Sequence, residues 1–133
     1  MFSSANSINW GRLAPQIIYY VSTYAQLVAD GEIELGDKIN IVVPTGNFGN
    51  ILAGYYAKHM GVPVNKLICA SNANNVLTDF IKTGIYDRNR PFHTTISPSM
   101  DILISSNLER LLYHLSGCDD AQISCLLYTS DAA

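Results

Sequence analysis

Apolar side chains recur at helical spacing from Leu13 to Val28. Leu13, Ile17, Tyr20, Val21, Tyr24, Leu27 and Val28 fall on one face, which predicts one amphipathic helix over Arg12–Ala29. Pro15 suits the first turn of that helix, where its missing N–H costs nothing, and Gly31 suits the left-handed position just past its end. The period then changes. Lys38–Val43 is a nearly continuous apolar, β-branched run, which predicts a strand buried on both faces. After the turn Pro44–Asn50, the residues Ile51, Leu52, Tyr55, Tyr56 and His59 share one side of a short helix that Gly61 and Pro63 end. Leu67-Ile68-Cys69-Ala70 reads as a second buried strand. Asn72–Asn75 opens a third helix with the face Val76, Leu77, Phe80 and Ile81, stopped by Gly84. Ser106-Asn107-Leu108-Glu109 reads as a capping box at the start of a helix through Leu111, Leu112 and Leu115.

Helix, strand, helix, strand, helix, helix is the order of repeated βα units, so the predicted class is α/β, with a parallel sheet flanked by helices. Two strands do not sustain such a sheet alone. Residues 1–117 are therefore expected to be part of a larger α/β domain truncated at both ends. Residues 118–133 are expected to be a tail that departs from the pattern, with at least Ile123–Ala133 non-native.

Composition narrows the function classes. The chain has 133 residues, 48% of them hydrophobic, which suits one modest core. Its net charge of −3, without a basic cluster, argues against nucleic acid and anionic membrane surfaces as partners. Apolar runs fall far short of a bilayer span, so a soluble, cytoplasmic protein is expected. Cys69, Cys118 and Cys125 lack metal-ligand spacing, and neither they nor His59, His93 and His114 suggest a metal site or a catalytic pair.

Pro44-Thr45-Gly46-Asn47-Phe48-Gly49-Asn50 is the segment with the clearest chemistry. A strand that feeds a Gly/Asn-rich turn into a helix N-terminus presents unpaired N–H groups and the positive end of the helix dipole to an anion. Glycines there let the backbone approach a ligand closely. The segment lacks the ending of a nucleotide P-loop, and its glycines do not form Gly-x-Gly-x-x-Gly. A plain strand-to-helix connection, with glycine for positive φ and asparagine as cap, fits the local pattern equally well.

Two further motifs accompany the loop. Ser4-Ala5-Asn6-Ser7-Ile8-Asn9-Trp10-Gly11-Arg12 precedes it, and Ser97-Pro98-Ser99-Met100-Asp101-Ile102 follows it. In order and spacing, these three stretches make the chain resemble threonine synthase, one of the fold type II enzymes that use pyridoxal 5'-phosphate. The wording is nearest to the longer form found in bacteria and fungi. The resemblance implies that Gly46, Asn47, Phe48, Gly49 and Asn50 hold the cofactor phosphate. It implies that Asn6, Ser7 and Arg12 grip the phosphate of the substrate, O-phospho-L-homoserine, with Asn50 a further candidate. The implied reaction converts that substrate and water to L-threonine and phosphate, a lyase step of threonine biosynthesis. Arginine offers a planar charged fork for phosphate, and asparagine and serine add neutral donors. Without the resemblance, Asn6, Ser7 and Asn9 read as helix caps and Arg12 as a solvated residue. Ser97–Asp101 reads as a turn with Asp101 as a local acceptor.

Lys38, Lys58, Lys66 and Lys82 lie outside the context in which the family places the lysine that binds the cofactor covalently. All four read as solvated positions, so no catalytic residue is expected here and the chain by itself is expected to be inactive. Another fold type II enzyme, such as a serine or threonine dehydratase, would share the loop without needing the Asn6, Ser7 and Arg12 grip. A non-catalytic phosphate-binding module is the third alternative.

Overall fold

The computed structural model describes residues 6–129, which form two compact units. One unit takes the chain up to Thr45 together with Gly49–Ala70; the other takes Gly46–Phe48 together with the chain from Ser71 onward.

In the first unit the expected long helix is interrupted. Helix α1 spans Trp10–Leu13, a 3-10 turn spans Ala14–Gln16, and helix α2 spans Ile17–Ala29. The helix starts at Trp10, ahead of the expected position, so Pro15 lies inside it rather than in its first turn. Proline there lacks the N–H for the α-helical ladder and crowds the carbonyl four residues back, and the backbone tightens. Gln16 Nε2 donates to the Arg12 carbonyl at 2.9 Å within this interrupted stretch. The far end follows the sequence: Gly31 adopts φ 73°, its N–H reaches the Val28 carbonyl, and the Glu32 N–H reaches Leu27.

Strand β1 (Ile39–Pro44) and strand β2 (Val64–Ala70) pair in parallel, with Ile41 opposite Leu67 and Val43 opposite Cys69. Parallel neighbours need a crossover, and helix α3 (Gly49–His59) supplies it. The expectation of a strand buried on both faces does not hold. Val43 is 4% exposed but Val42 is 60% exposed, and Asn40 and Pro44 share the open side. Burial of both faces requires helices on both, and α3 lies over the side that carries Leu67. The helices interlock through tyrosine. Tyr20 of α2 is buried against Gly54 of α3, and the Tyr24 hydroxyl accepts from the Gly36 N–H and donates to the Asp37 carbonyl, fixing the approach to β1.

The second unit contains helix α4 (Val76–Thr83), a 3-10 turn at Pro98–Met100, helix α5 (Leu108–Leu115) and helix α6 (Asp120–Thr129). Gly84 closes α4 in the left-handed conformation, as its position predicts. Val76, Leu77, Leu108 and Ile123 are buried. Helix α6 thus lies in the stretch expected to be a tail, and residues 130–133 of that stretch are outside the described residues.

Asp101 organises the irregular part of this unit. Its carboxylate accepts from the Thr95 N–H (2.8 Å), the Thr95 hydroxyl (2.7 Å), Asn72 Nδ2 (2.6 Å) and Asn74 Nδ2 (3.1 Å). These bonds, that from the Thr95 N–H foremost, hold its pKa below the usual aspartate value. A carboxyl with a lowered folded-state pKa contributes stability that is complete above its unfolded pKa and vanishes as pH falls through the folded value. Asp101→Asn should therefore melt below the wild type at neutral pH, and the gap should close as pH falls below the ordinary aspartate range. Thermal melts across that range, read for both proteins, check this.

Candidate functional site

β1 carries the chain to Thr45, which is pinned at the C-terminal edge of the sheet. Its N–H donates to the Ala70 carbonyl at 2.8 Å and its buried hydroxyl donates to the Val43 carbonyl at 2.7 Å. Ligands of open α/β sheets bind beyond the C-terminal ends of parallel strands, which is where the loop Gly46–Asn50 lies. Gly46–Phe48 belong to the second unit, while Gly49 and Asn50 open α3 in the first.

The glycine and the strained residue divide their roles differently from the sequence expectation. A Cβ on Gly46 would lie 3.1 Å from the Met100 Cα and from the Ser99 carbonyl oxygen, so any larger residue would crowd the backbone of the Ser97–Asp101 segment that packs against it. The left-handed residue of the loop is Phe48, at φ 62° and 6% exposed. A bulky side chain held in that conformation costs about 1–3 kcal/mol and persists only where its surroundings dictate it, a pattern associated with functional sites. Positive φ within a turn also gathers successive N–H groups into an anion-binding concavity.

Asn47 is held at both ends. Its Oδ1 accepts from the Ser106 N–H at 2.7 Å and the Ser106 hydroxyl at 2.8 Å, and its carbonyl accepts from Asn107 Nδ2 at 3.0 Å. The expected capping box at Ser106 does not form. Asn107 is the N-cap of α5 without a side-chain cap bond, because both side chains turn to Asn47 instead.

The first turn of α3 contains no acidic residue, and Lys58 and His59 occupy its last turn, a distribution that leaves the N-terminal end electropositive. Asn50 is oriented from α2 and the 3-10 turn. The Tyr20 hydroxyl lies 2.8 Å from the Asn50 carbonyl and 2.7 Å from its Oδ1, donating between them, while Asn50 Nδ2 donates to Gln16 Oε1 at 3.0 Å. Burial pushes the Tyr20 phenol up to about 12, so it remains a proton donor throughout the neutral range.

Of the other expected site residues, Asn6 is exposed and its carbonyl accepts from the Asn9 N–H at 3.0 Å. Ser7 is half-buried in the following turn. Asn9 caps α1 through its side chain, which accepts from the Gly11 N–H at 2.8 Å. Arg12 is exposed on α1, one turn before Gln16, so the Gln16 amide joins the Arg12 main chain to Asn50. The sequence reading missed Gln16, Ser106 and Asn107 and took Tyr20 only as core. Their roles rest on contacts between residues 30–60 positions apart, for which local patterning carries no signal.

All four lysines are exposed, as expected, and Lys58 donates to the Asn65 carbonyl. The three cysteines form no disulfide. Among the described residues there is no cluster of side chains suited to a metal ion, and no helix long and apolar enough to cross a membrane.

Known proteins resemble the chain over nearly its whole length. It is 59% identical over 129 residues to human threonine synthase-like 1, a match that covers 96% of the chain and 17% of that protein. It is 49% identical over 113 residues to threonine synthase of Saccharomyces cerevisiae, covering 85% of the chain and 21% of the enzyme. Among solved structures, PLP-bound threonine synthase from Brucella melitensis superposes with a TM-score of 0.84 at 44% identity, over 95% of the chain and 26% of that structure. The yeast enzyme superposes with a TM-score of 0.77 at 47% identity, over 91% of the chain and 23% of that structure. No family model matches. The chain thus spans about a sixth to a quarter of the length of the relatives it matches.

Proposed function

We propose, from the premise that this chain has the sequence and the fold of one segment of the PLP-dependent, fold type II threonine synthases, that it contributes the two phosphate sites of such an enzyme. The parent activity would convert O-phospho-L-homoserine and water to L-threonine and phosphate, in the cytoplasm. The observation that carries the reading is Phe48, a buried aromatic residue in left-handed conformation between a clamped Asn47 and a helix start free of acidic residues.

The residues of the loop suit the phosphate of pyridoxal 5'-phosphate. Backbone N–H groups of Gly46–Asn50 and the first turn of α3 would hold it without a lysine, the helix dipole favouring the dianion. The bound cofactor supplies an electron sink for the reacting carbon of the substrate. The protein's part is placement. The loop would fix the phosphate end, while the Asn50 side chain is held on Tyr20 and Gln16 and so steadies the start of α3. Asn6, Ser7 and Arg12 would bind the substrate phosphate. The Arg12 guanidinium would stabilise charge that builds on that group as its bond to the substrate carbon breaks. The lysine that binds the cofactor, on this reading, comes from elsewhere in the enzyme.

The test is to incubate the full-length protein that carries this sequence with O-phospho-L-homoserine and the cofactor, and to assay phosphate and threonine together. Equal release of both is expected. Phosphate without threonine would point to elimination on the same scaffold, and no phosphate at saturating cofactor would overturn the reading.

A further inference from the structure

Three hydrogen bonds clamp Asn47, the residue that precedes the strained Phe48. Ser106 holds its side-chain oxygen through both its N–H and its hydroxyl, and Asn107 holds its main-chain oxygen. Asn107 is fully buried at 0% exposure, and its Oδ1 accepts from Arg110 Nη1 at 3.0 Å, so its amide has one orientation, with Nδ2 toward Asn47. A buried amide whose groups are bonded at both ends is costly to rotate, because either turn leaves polar atoms unpaired.

The consequence follows from peptide geometry. The Asn47 carbonyl and the Phe48 N–H belong to one planar trans unit and point in opposite directions. Anchoring the carbonyl on Asn107 therefore sets the direction of the Phe48 N–H, which points away from Asn107. Phe48 then turns the next unit through its positive φ into α3. Left without support, Phe48 would relax to an ordinary negative φ, and the direction set for its N–H would be lost.

We infer that Ser106 and Asn107 are positioning residues for the phosphate loop, acting through Asn47 to aim the Phe48 N–H at the cofactor phosphate. The inference rests on the reading of Gly46–Asn50 as the cofactor phosphate site. It deepens that reading by naming what holds the strained loop in its binding shape.

The measurement is cofactor affinity rather than turnover. The full-length protein, stripped of cofactor, is titrated with pyridoxal 5'-phosphate and with pyridoxal, which lacks the phosphate, by absorbance or fluorescence. The wild type should prefer the phosphorylated form strongly. Ser106→Ala should reduce that preference by roughly 3–10-fold and Asn107→Ala by more than about 10-fold, with pyridoxal affinity little changed, as expected for lost hydrogen bonds to the loop. A merely structural role would weaken both ligands together and leave their ratio intact. If Asn107→Ala fails to fold by circular dichroism, Ser106→Ala decides. A wild-type preference that both folded variants retain would overturn the positioning role and leave the phosphate-site reading standing. A wild type with no preference would overturn both.

Discussion

Arg12→Ala lowers kcat/KM for O-phospho-L-homoserine by about 10–100-fold, the loss expected when a charge-assisted contact to phosphate is removed. The position of the residue supports a selective effect. Arg12 is exposed on a four-residue helix, and its main-chain carbonyl, which alanine retains, accepts from Gln16 Nε2. On the proposed role the loss falls on the substrate, and cofactor affinity should change far less. Arg12→Lys should recover only part of the activity, because a lysine keeps the charge without the planar fork that matches phosphate oxygens. Steady-state kinetics with the phosphorylated substrate, alongside a cofactor titration, provides the check. Equal losses toward substrate and cofactor would show that Arg12 supports the fold instead.

The largest effect on stability is expected at Gly54. A Cβ there would lie 2.7 Å from Cε1 and 2.8 Å from Cζ of Tyr20, closer than real carbon atoms approach, and 3.0 Å from Leu67 Cδ2. The Tyr20 ring cannot retreat freely, since it is buried and its hydroxyl is tied to Asn50 at the start of α3. Gly54→Ala should cost roughly 2–3 kcal/mol by overpacking, with loss of the tyrosine bond included. Tyr20→Phe alone should cost about 1 kcal/mol, the usual net value of one hydrogen bond. The two changes should not add, because each disturbs the same contact between α2 and α3. Denaturant unfolding of the two single variants and the double variant measures the coupling, and strict additivity would mean that Tyr20 does not transmit the strain.

The sequence singled out the loop Gly46–Asn50 but not the residues that support it. The resemblance and the strand-to-helix turn both pointed to Gly46–Asn50. The need for a small residue at Gly46, however, comes from Ser99 and Met100, some 50 positions along the chain. The third motif, Ser97–Asp101, acquires its role in the same way: it packs against Gly46 and supplies the acceptor that gathers Asn72, Asn74 and Thr95.

What the sequence alone determined were features set by bonds near in the chain. The α2 terminus at Gly31, the α4 stop at Gly84, the two strands and the helix between them follow from local backbone preference and from periodicity of apolar residues. Only the tertiary structure decided which face of β1 is covered, that Ser106 and Asn107 turn from capping to holding Asn47, and that Phe48 rather than a glycine takes the left-handed turn. The physical reason is one of range. A cap or a turn competes only with alternatives within a few residues. A buried amide or a strained φ is settled by whichever distant groups satisfy it, and those groups become neighbours only when the chain has folded.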